Sequence, residues 1–142
     1  MIRSIKTFCG FLPVLLVVVM SSLLSCKGDD PDPVQEQINK LTATWQLETV
    51  INDDVDVSSQ FTGFSLTVDG TRYSTQNGGS PWPAMGTYEL LPDNLNLIQR
   101  DDNTPITITE ITTETLVLRF NFSRDGGVRE GINGSFTFSL TK

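Results

Sequence analysis

The chain has 142 residues, a formal charge of −7 and no histidine. A protein this acidic is repelled by nucleic acid and by anionic headgroups, so neither DNA nor RNA is an expected partner. Without histidine, Ser-His-Asp and Cys-His catalysis and every histidine-based metal site are excluded. No enzyme is expected.

Residues 1–25 have the three parts of a secretory leader. Arg3 and Lys6 give a positive start, and no acidic residue appears before Asp29. Phe8 to Met20 is apolar, interrupted by Gly10 and Pro13. A membrane span needs about 20 apolar residues, and this run stops at Ser21-Ser22. Leu23-Leu24-Ser25-Cys26 then resembles a bacterial lipobox, with Leu24 standing where a small residue or Val is commoner. The resemblance implies cleavage before Cys26 and lipid attachment to it. Two or more acyl chains anchor a protein stably, at about 0.8 kcal/mol per buried CH₂. Loss of the leader removes two positive charges, taking the formal charge from −7 to −9. The membrane is therefore held by lipid and not by electrostatics. Cys9 and Cys26 are the two cysteines, so the mature domain has no disulfide and its stability rests on its core.

Residues 26–33 read as an acidic, proline-containing tether. Lys27-Gly28-Asp29-Asp30 and Asp32 resemble the tether of surface-displayed Bacteroidetes-type lipoproteins. That implies an outer-membrane lipoprotein at the cell surface, or otherwise on the periplasmic face. The domain proper spans 34–142. A short helix is predicted over 33–41, with Asp32 as N-cap, Pro33 at the first position, Gln35 placed for a capping box, and Val34, Ile38 and Leu41 on one face.

From Thr44 the period changes to two. The first strand covers 44–51, with Trp45 and Leu47 inward. The acidic turn Asn52-Asp53-Asp54 follows, then irregular or edge structure over 55–60. Phe64, Leu66 and Val68 mark a second strand, Asp69-Gly70 a tight turn, and Tyr73 and Thr75 a third strand. Two prolines around Trp82 make 77–83 a loop. Further strands cover 85–91, 95–99 (Leu95 and Leu97 inward) and 106–109. The last two carry Leu116, Leu118, Phe120 and Phe122, then Phe136, Phe138 and Leu140. Eight short antiparallel strands leave no room for a crossover helix. They close most simply into an all-β, up-and-down barrel with a short N-terminal helix, because closure removes exposed edges. A two-sheet sandwich is the alternative.

Three segments then carry a family resemblance. They are Leu41-Thr42-Ala43-Thr44-Trp45-Gln46-Leu47, Gly86-Thr87-Tyr88-Glu89-Leu90 and Gly134-Ser135-Phe136-Thr137-Phe138-Ser139-Leu140. The chain from Ile38 to Leu140 resembles the lipocalin-like lipoproteins of Gram-negative bacteria, many of unknown function. Ala43 stands where the family's Gly-x-Trp has its glycine. The resemblance implies a lipocalin-like β-barrel with Trp45 as its floor, an arginine (Arg119 or Arg129) over that Trp, and space for a small apolar ligand.

Few residues invite chemistry. Glu89 alternates outward, while Glu110 follows the inward register of Ile106 and Ile108 and points into the barrel or sits at its rim. Asp54, Asp56 and Ser58 have the spacing of a calcium-loop start, but Ser59 replaces the turn glycine and Ser65 the bidentate glutamate. Solvated loops explain them better. No metal or cofactor is expected. Trp82 is either a lid or contact residue at the barrel mouth or a patch over the helix. Two functions remain open for a monomer. One is binding of a small apolar or amphipathic molecule by Trp82, Tyr73, Tyr88, Phe120 and Phe122. The other is interaction with, or inhibition of, an envelope protein or host factor through loops 76–84 and 123–133 of a filled barrel. The number of large inward residues leaves a narrow eight-stranded barrel little free space.

Overall fold

Asp32 opens the first element of the structure, a computed structural model that describes residue 28, residues 30–124 and residues 133–142. The expected leader, Cys26, Arg129 and most of loop 123–133 lie outside the described residues. Helix α1 runs Pro33–Leu41, and the Asp32 carboxylate accepts the Val34 N–H at 2.9 Å. That satisfies one of the free amides of the first turn. Gln35 does not complete a capping box; its amide donates to Asn39 at 3.0 Å. Leu41 is buried, Val34 and Ile38 pack against the core, and buried Gln37 donates to the Leu95 carbonyl at 3.3 Å.

The strands are β1 (Ala43–Asn52), β2 (Val55–Asp56), β3 (Ser65–Asp69), β4 (Arg72–Gln76), β5 (Met85–Leu91), β6 (Asn94–Arg100), β7 (Pro105–Ile111), β8 (Thr115–Phe122) and β9 (Gly134–Thr141). All pairings are antiparallel and between chain neighbours, except that β1 skips to β3 and β9 returns to β1. Residues 43–46 of β1 pair with β3, and residues 46–52 pair with β9. The result is a closed up-and-down barrel of eight strands. The two-residue β2 adds to the end of β1, and a 3₁₀ turn, Ser58–Phe61, follows it. This is the segment whose sequence reads as irregular or edge structure.

Alternation places most of the core as expected: Trp45, Phe64, Leu66, Val68, Leu116, Leu118, Phe120, Phe136, Phe138 and Leu140 are buried. There are three departures, two of them from backbone irregularities. In β1 the register shifts between Leu47 and Thr49, so Val50 is fully buried while Leu47 is half-buried. In β7 it shifts between Ile108 and Glu110. Glu110 is therefore exposed, not inward, and Ile111 packs against the core instead. Each bulge inserts one residue and so exchanges the two faces of its strand. In β6 the inward positions are Ile98, paired with Leu90 and Ile106, and Arg100, paired with Tyr88. Leu95 and Leu97 are half-buried.

Gly86 sits opposite Tyr73 on the β4–β5 pair. A Cβ there would stand 2.6 Å from the Tyr73 hydroxyl and 2.8 Å from an Asp101 carboxylate oxygen. Gly86→Ala is expected to cost about 1–2 kcal/mol through overpacking. Chemical denaturation tests this, and an unchanged midpoint refutes the crowding.

Strand direction fixes two ends. α1, the turns after β3, β5 and β7, and the C-terminus share one; Trp45 closes it. Its indole N–H donates to the Leu41 carbonyl at 2.9 Å, and the Lys142 ammonium lies 4.7 Å from its ring centroid. Among the described residues the cation over this Trp is therefore Lys142. Arg119 is on the outer face, exposed, with its Nε 3.4 Å from the Ser135 hydroxyl.

Candidate functional site at the barrel mouth

The opposite end carries the connections after β1, β4, β6 and β8. The connection after β4, residues 77–84, bends back over the opening. Gly79 has a φ of 58°, in the region that favours glycine. At Gly78 a Cβ would meet the Trp82 Cβ at 2.5 Å. The Trp82 N–H turns back toward the Gly78 carbonyl at 3.3 Å, and Thr75 donates its N–H to Ala84 and its hydroxyl to Pro83, both at 2.8 Å. These contacts aim Trp82 inward.

Trp82 is therefore buried in the mouth, with an exposure of 5%. Its ring centroid lies 5.3 Å from Phe120, 5.7 Å from Phe138, 5.9 Å from Phe64 and 6.1 Å from Tyr73. Edge-to-face and tilted pairs at these separations are favourable aromatic geometry. Of the other residues suggested for ligand contact, Tyr73, Tyr88 and Phe120 are buried, and Phe122 is half-buried at the end of β8. The barrel brings Trp82, Tyr73 and Phe120 together. Tyr88 lies farther along the wall.

Arg100 is the residue that alternation misses. It points into the barrel, only 2% exposed, with its guanidinium carbon 5.2 Å from the Trp82 ring and 5.6 Å from Phe120. Nε and Nη2 donate to Asp102 at 3.1 and 2.5 Å, Nη2 also to Thr104 at 3.3 Å, and Nη1 to the Pro81 carbonyl at 2.9 Å. A buried guanidinium is tolerated when its charge is paired and its donors are used. The last of these bonds ties loop 77–84 to the barrel wall. Partial burial of Asp102 works to raise its carboxyl pKa, but the hydrogen bonds from Arg100 and Thr104 outweigh it and hold it at about 2.

The two tyrosines differ. The Tyr88 hydroxyl donates to the Gly70 carbonyl at 2.6 Å, and burial pushes its pKa up to about 12. Burial also raises that of Tyr73, against the opposing charge of Arg100. Yet among the described residues the Tyr73 hydroxyl has no hydrogen-bond partner, and neither has the Trp82 indole N–H. Removing an unpaired buried hydroxyl costs little, whereas a satisfied one contributes about 1 kcal/mol. Tyr73→Phe is accordingly expected to leave stability unchanged or raise it, and Tyr88→Phe to lower it by about 1 kcal/mol. Paired thermal melts read this directly; the reverse order refutes the assignment of partners.

The interior is nearly full. An apolar void of about 30 Å³ remains between Trp82, Tyr73, Tyr88, Ile98 and Leu118. It would take a water-sized molecule, against about 300 Å³ for the smaller ligand pockets. Larger depressions, about 410 Å³ beside Arg119 and about 470 Å³ beside α1, lie open on the outer surface. In the acidic connection Asp56 accepts the N–H and hydroxyl of Ser58 at 2.9 and 2.6 Å. Ser58 in turn accepts the Val50 N–H at 2.9 Å. These bonds lower the Asp56 carboxyl pKa and brace the 3₁₀ turn. Among the described residues no group of three acidic or cysteine side chains is placed to hold a metal ion.

Comparison of the chain with protein-family models, curated proteins and solved structures gave no match. The molecule is thus defined by its own architecture, a closed eight-stranded antiparallel barrel stoppered by an aromatic loop.

Proposed function

We propose that this chain is a lipid-anchored, non-catalytic envelope protein that works through the loop end of a filled barrel. The observation that carries the reading is the interior void of about 30 Å³. A barrel packed this tightly is a rigid stand, and rigid stands present loops. The connections over 52–64, 77–84 and 101–104 form that end, and the partner is another envelope protein or a host factor. The lipobox-like Leu23-Leu24-Ser25-Cys26 supports an outer-membrane anchor, and the resemblance to lipocalin-like lipoproteins agrees with the barrel.

A photo-crosslinking residue at Ser80, compared with one at Asp93 on the helix end, tests the reading in cells. A protein adduct from position 80 alone is expected; adducts from position 93 alone overturn it. For the anchor, Cys26→Ala is expected to abolish incorporation of labelled palmitate, and continued labelling refutes it. A second reading, the binding of a small apolar or amphipathic molecule at the mouth, draws on the unpaired polar groups of Trp82 and Tyr73.

A further inference from the structure

We infer that the rim of the mouth, through Val55, Met85 and the carboxylates beside them, docks a segment of another protein whose basic side chains flank apolar ones. This deepens the loop-end reading by naming the chemistry of the partner, and it rests on that reading.

The apolar contacts come first. Val55 (62%) and Met85 (74%) are the large apolar side chains that stand exposed among the described residues. Both lie at the mouth end, Val55 in the connection after β1 and Met85 where β5 begins. A scattered exposed apolar residue is ordinary, but here the exposure is confined to one rim. The next outward positions of β5, Thr87 and Glu89, are polar. Met85 is flexible and polarisable, and so suits a contact that must adapt to its partner. In the sheet β3 and β4 stand between β1 and β5. Two to three strand spacings therefore separate Val55 from Met85, about 10–15 Å. A helical segment bridges that span in about two to three turns.

Charge selects the segment. Val55 stands between Asp54 and Asp56, and Met85 precedes Gly86, whose Cβ position lies 2.8 Å from an Asp101 oxygen. Residues 50–71 contain no lysine or arginine, and residues 77–84 carry no charge at all. Arg100 neutralises Asp102. Among the described residues no basic group lies within 4 Å of Asp53, Asp54, Asp56 or Asp101. Residues 123–133 hold two arginines, one aspartate and one glutamate, and so add no net charge. Such a rim attracts a cationic partner and rejects an acidic one. The helix end is acidic too, but Lys40 pairs with Glu36 there at 3.0 Å, Lys142 lies over Trp45, and no large apolar side chain is exposed among its described residues. Apolar exposure and charge of one sign coincide at the mouth.

A photo-crosslinking residue at Val55 or at Met85, in the full chain in its own cells, tests the inference. The captured segment is identified by mass spectrometry and then synthesised. Both positions are expected to capture one segment in which Lys and Arg outnumber Asp and Glu and flank apolar residues. Its synthetic peptide should bind the purified domain, and about tenfold more weakly after Met85→Ala. Asp54→Asn with Asp101→Asn should weaken it about tenfold at low salt. These amides keep an acceptor oxygen, so the Thr87 N–H that Asp101 accepts at 3.0 Å retains a partner. At about 0.5 M salt the effect of the Asn pair should vanish while that of Met85→Ala persists. Capture of a neutral or acidic segment overturns the basic partner but leaves the loop-end reading. The same holds if Ser80 captures a protein and positions 55 and 85 do not. No capture from 55, 80 or 85 overturns both.

Discussion

Trp82→Ala is expected to lower the stability of the domain by about 3–5 kcal/mol, although the residue belongs to a loop. Ordinary loop side chains lie on the surface, and their truncation changes stability by only a few tenths of a kcal/mol. Trp82 is instead packed against Phe64, Phe120 and Phe138 at centroid separations of 5.3–5.9 Å. Removing the indole joins its space to the existing void and deprives three phenylalanines and the Arg100 guanidinium of a neighbour. Met85, three residues on and 74% exposed, is the control; Met85→Ala should be nearly silent. Urea unfolding of both variants measures the contrast. A loss below about 1 kcal/mol for Trp82→Ala would show that the mouth is held by the backbone bonds of the loop alone.

The destination of Trp82 marks where sequence reasoning stops. Pro81 and Pro83 identify a loop, but nothing local says that the loop turns inward. That depends on the space left by Phe120 and Phe138, more than thirty residues away in the chain, and on crowding at Gly78. The barrel itself was far more legible. Alternation in β8 and β9 predicts seven inward side chains, and six are buried, with Phe122 alone half-exposed where β8 ends. The helix was equally readable, because Asp32-Pro33 determines its start through local geometry.

Bulges were not legible. The shifts near Glu48 and Thr109 exchange strand faces, yet each is a single extra residue without a signature of its own. Period alone leaves Glu110 either inward or at the rim; the bulge excludes the first, and the residue is exposed near the end of β7. In β6 the error has a different cause. Leu95 and Leu97 look like the apolar face, and the opposite register puts Arg100 inside, which a burial rule rejects. That rule holds only for an unpaired charge. Asp102, two residues on, supplies the partner, so the Arg-x-Asp spacing at a strand end was the available signal.

That pair carries the second large effect. Asp102→Ala is expected to cost about 2–3 kcal/mol, below the full range for breaking a buried ion pair, because Asp102 itself is 40% exposed and partly screened. Arg100 would keep its bonds to Pro81 and Thr104 but lose its counter-charge while remaining 2% exposed. Replacing both, as Arg100→Met with Asp102→Ala, should recover more than half of the loss, since no uncompensated charge remains. Acid offers an independent test. The folded carboxyl is held at about 2, below the roughly 3.9 of an unfolded aspartate. Its contribution is therefore complete above about pH 4 and disappears as pH falls through 2. After allowance for solvent screening, that amounts to about 1 kcal/mol. Wild-type stability should fall by this amount more than that of the double variant between pH 4 and pH 2. Parallel pH profiles would mean that Arg100 is stabilised by Pro81, Thr104 and the aromatic rings, with Asp102 a bystander. A converging pair would establish the carboxylate as the group that keeps a cation inside an otherwise apolar barrel.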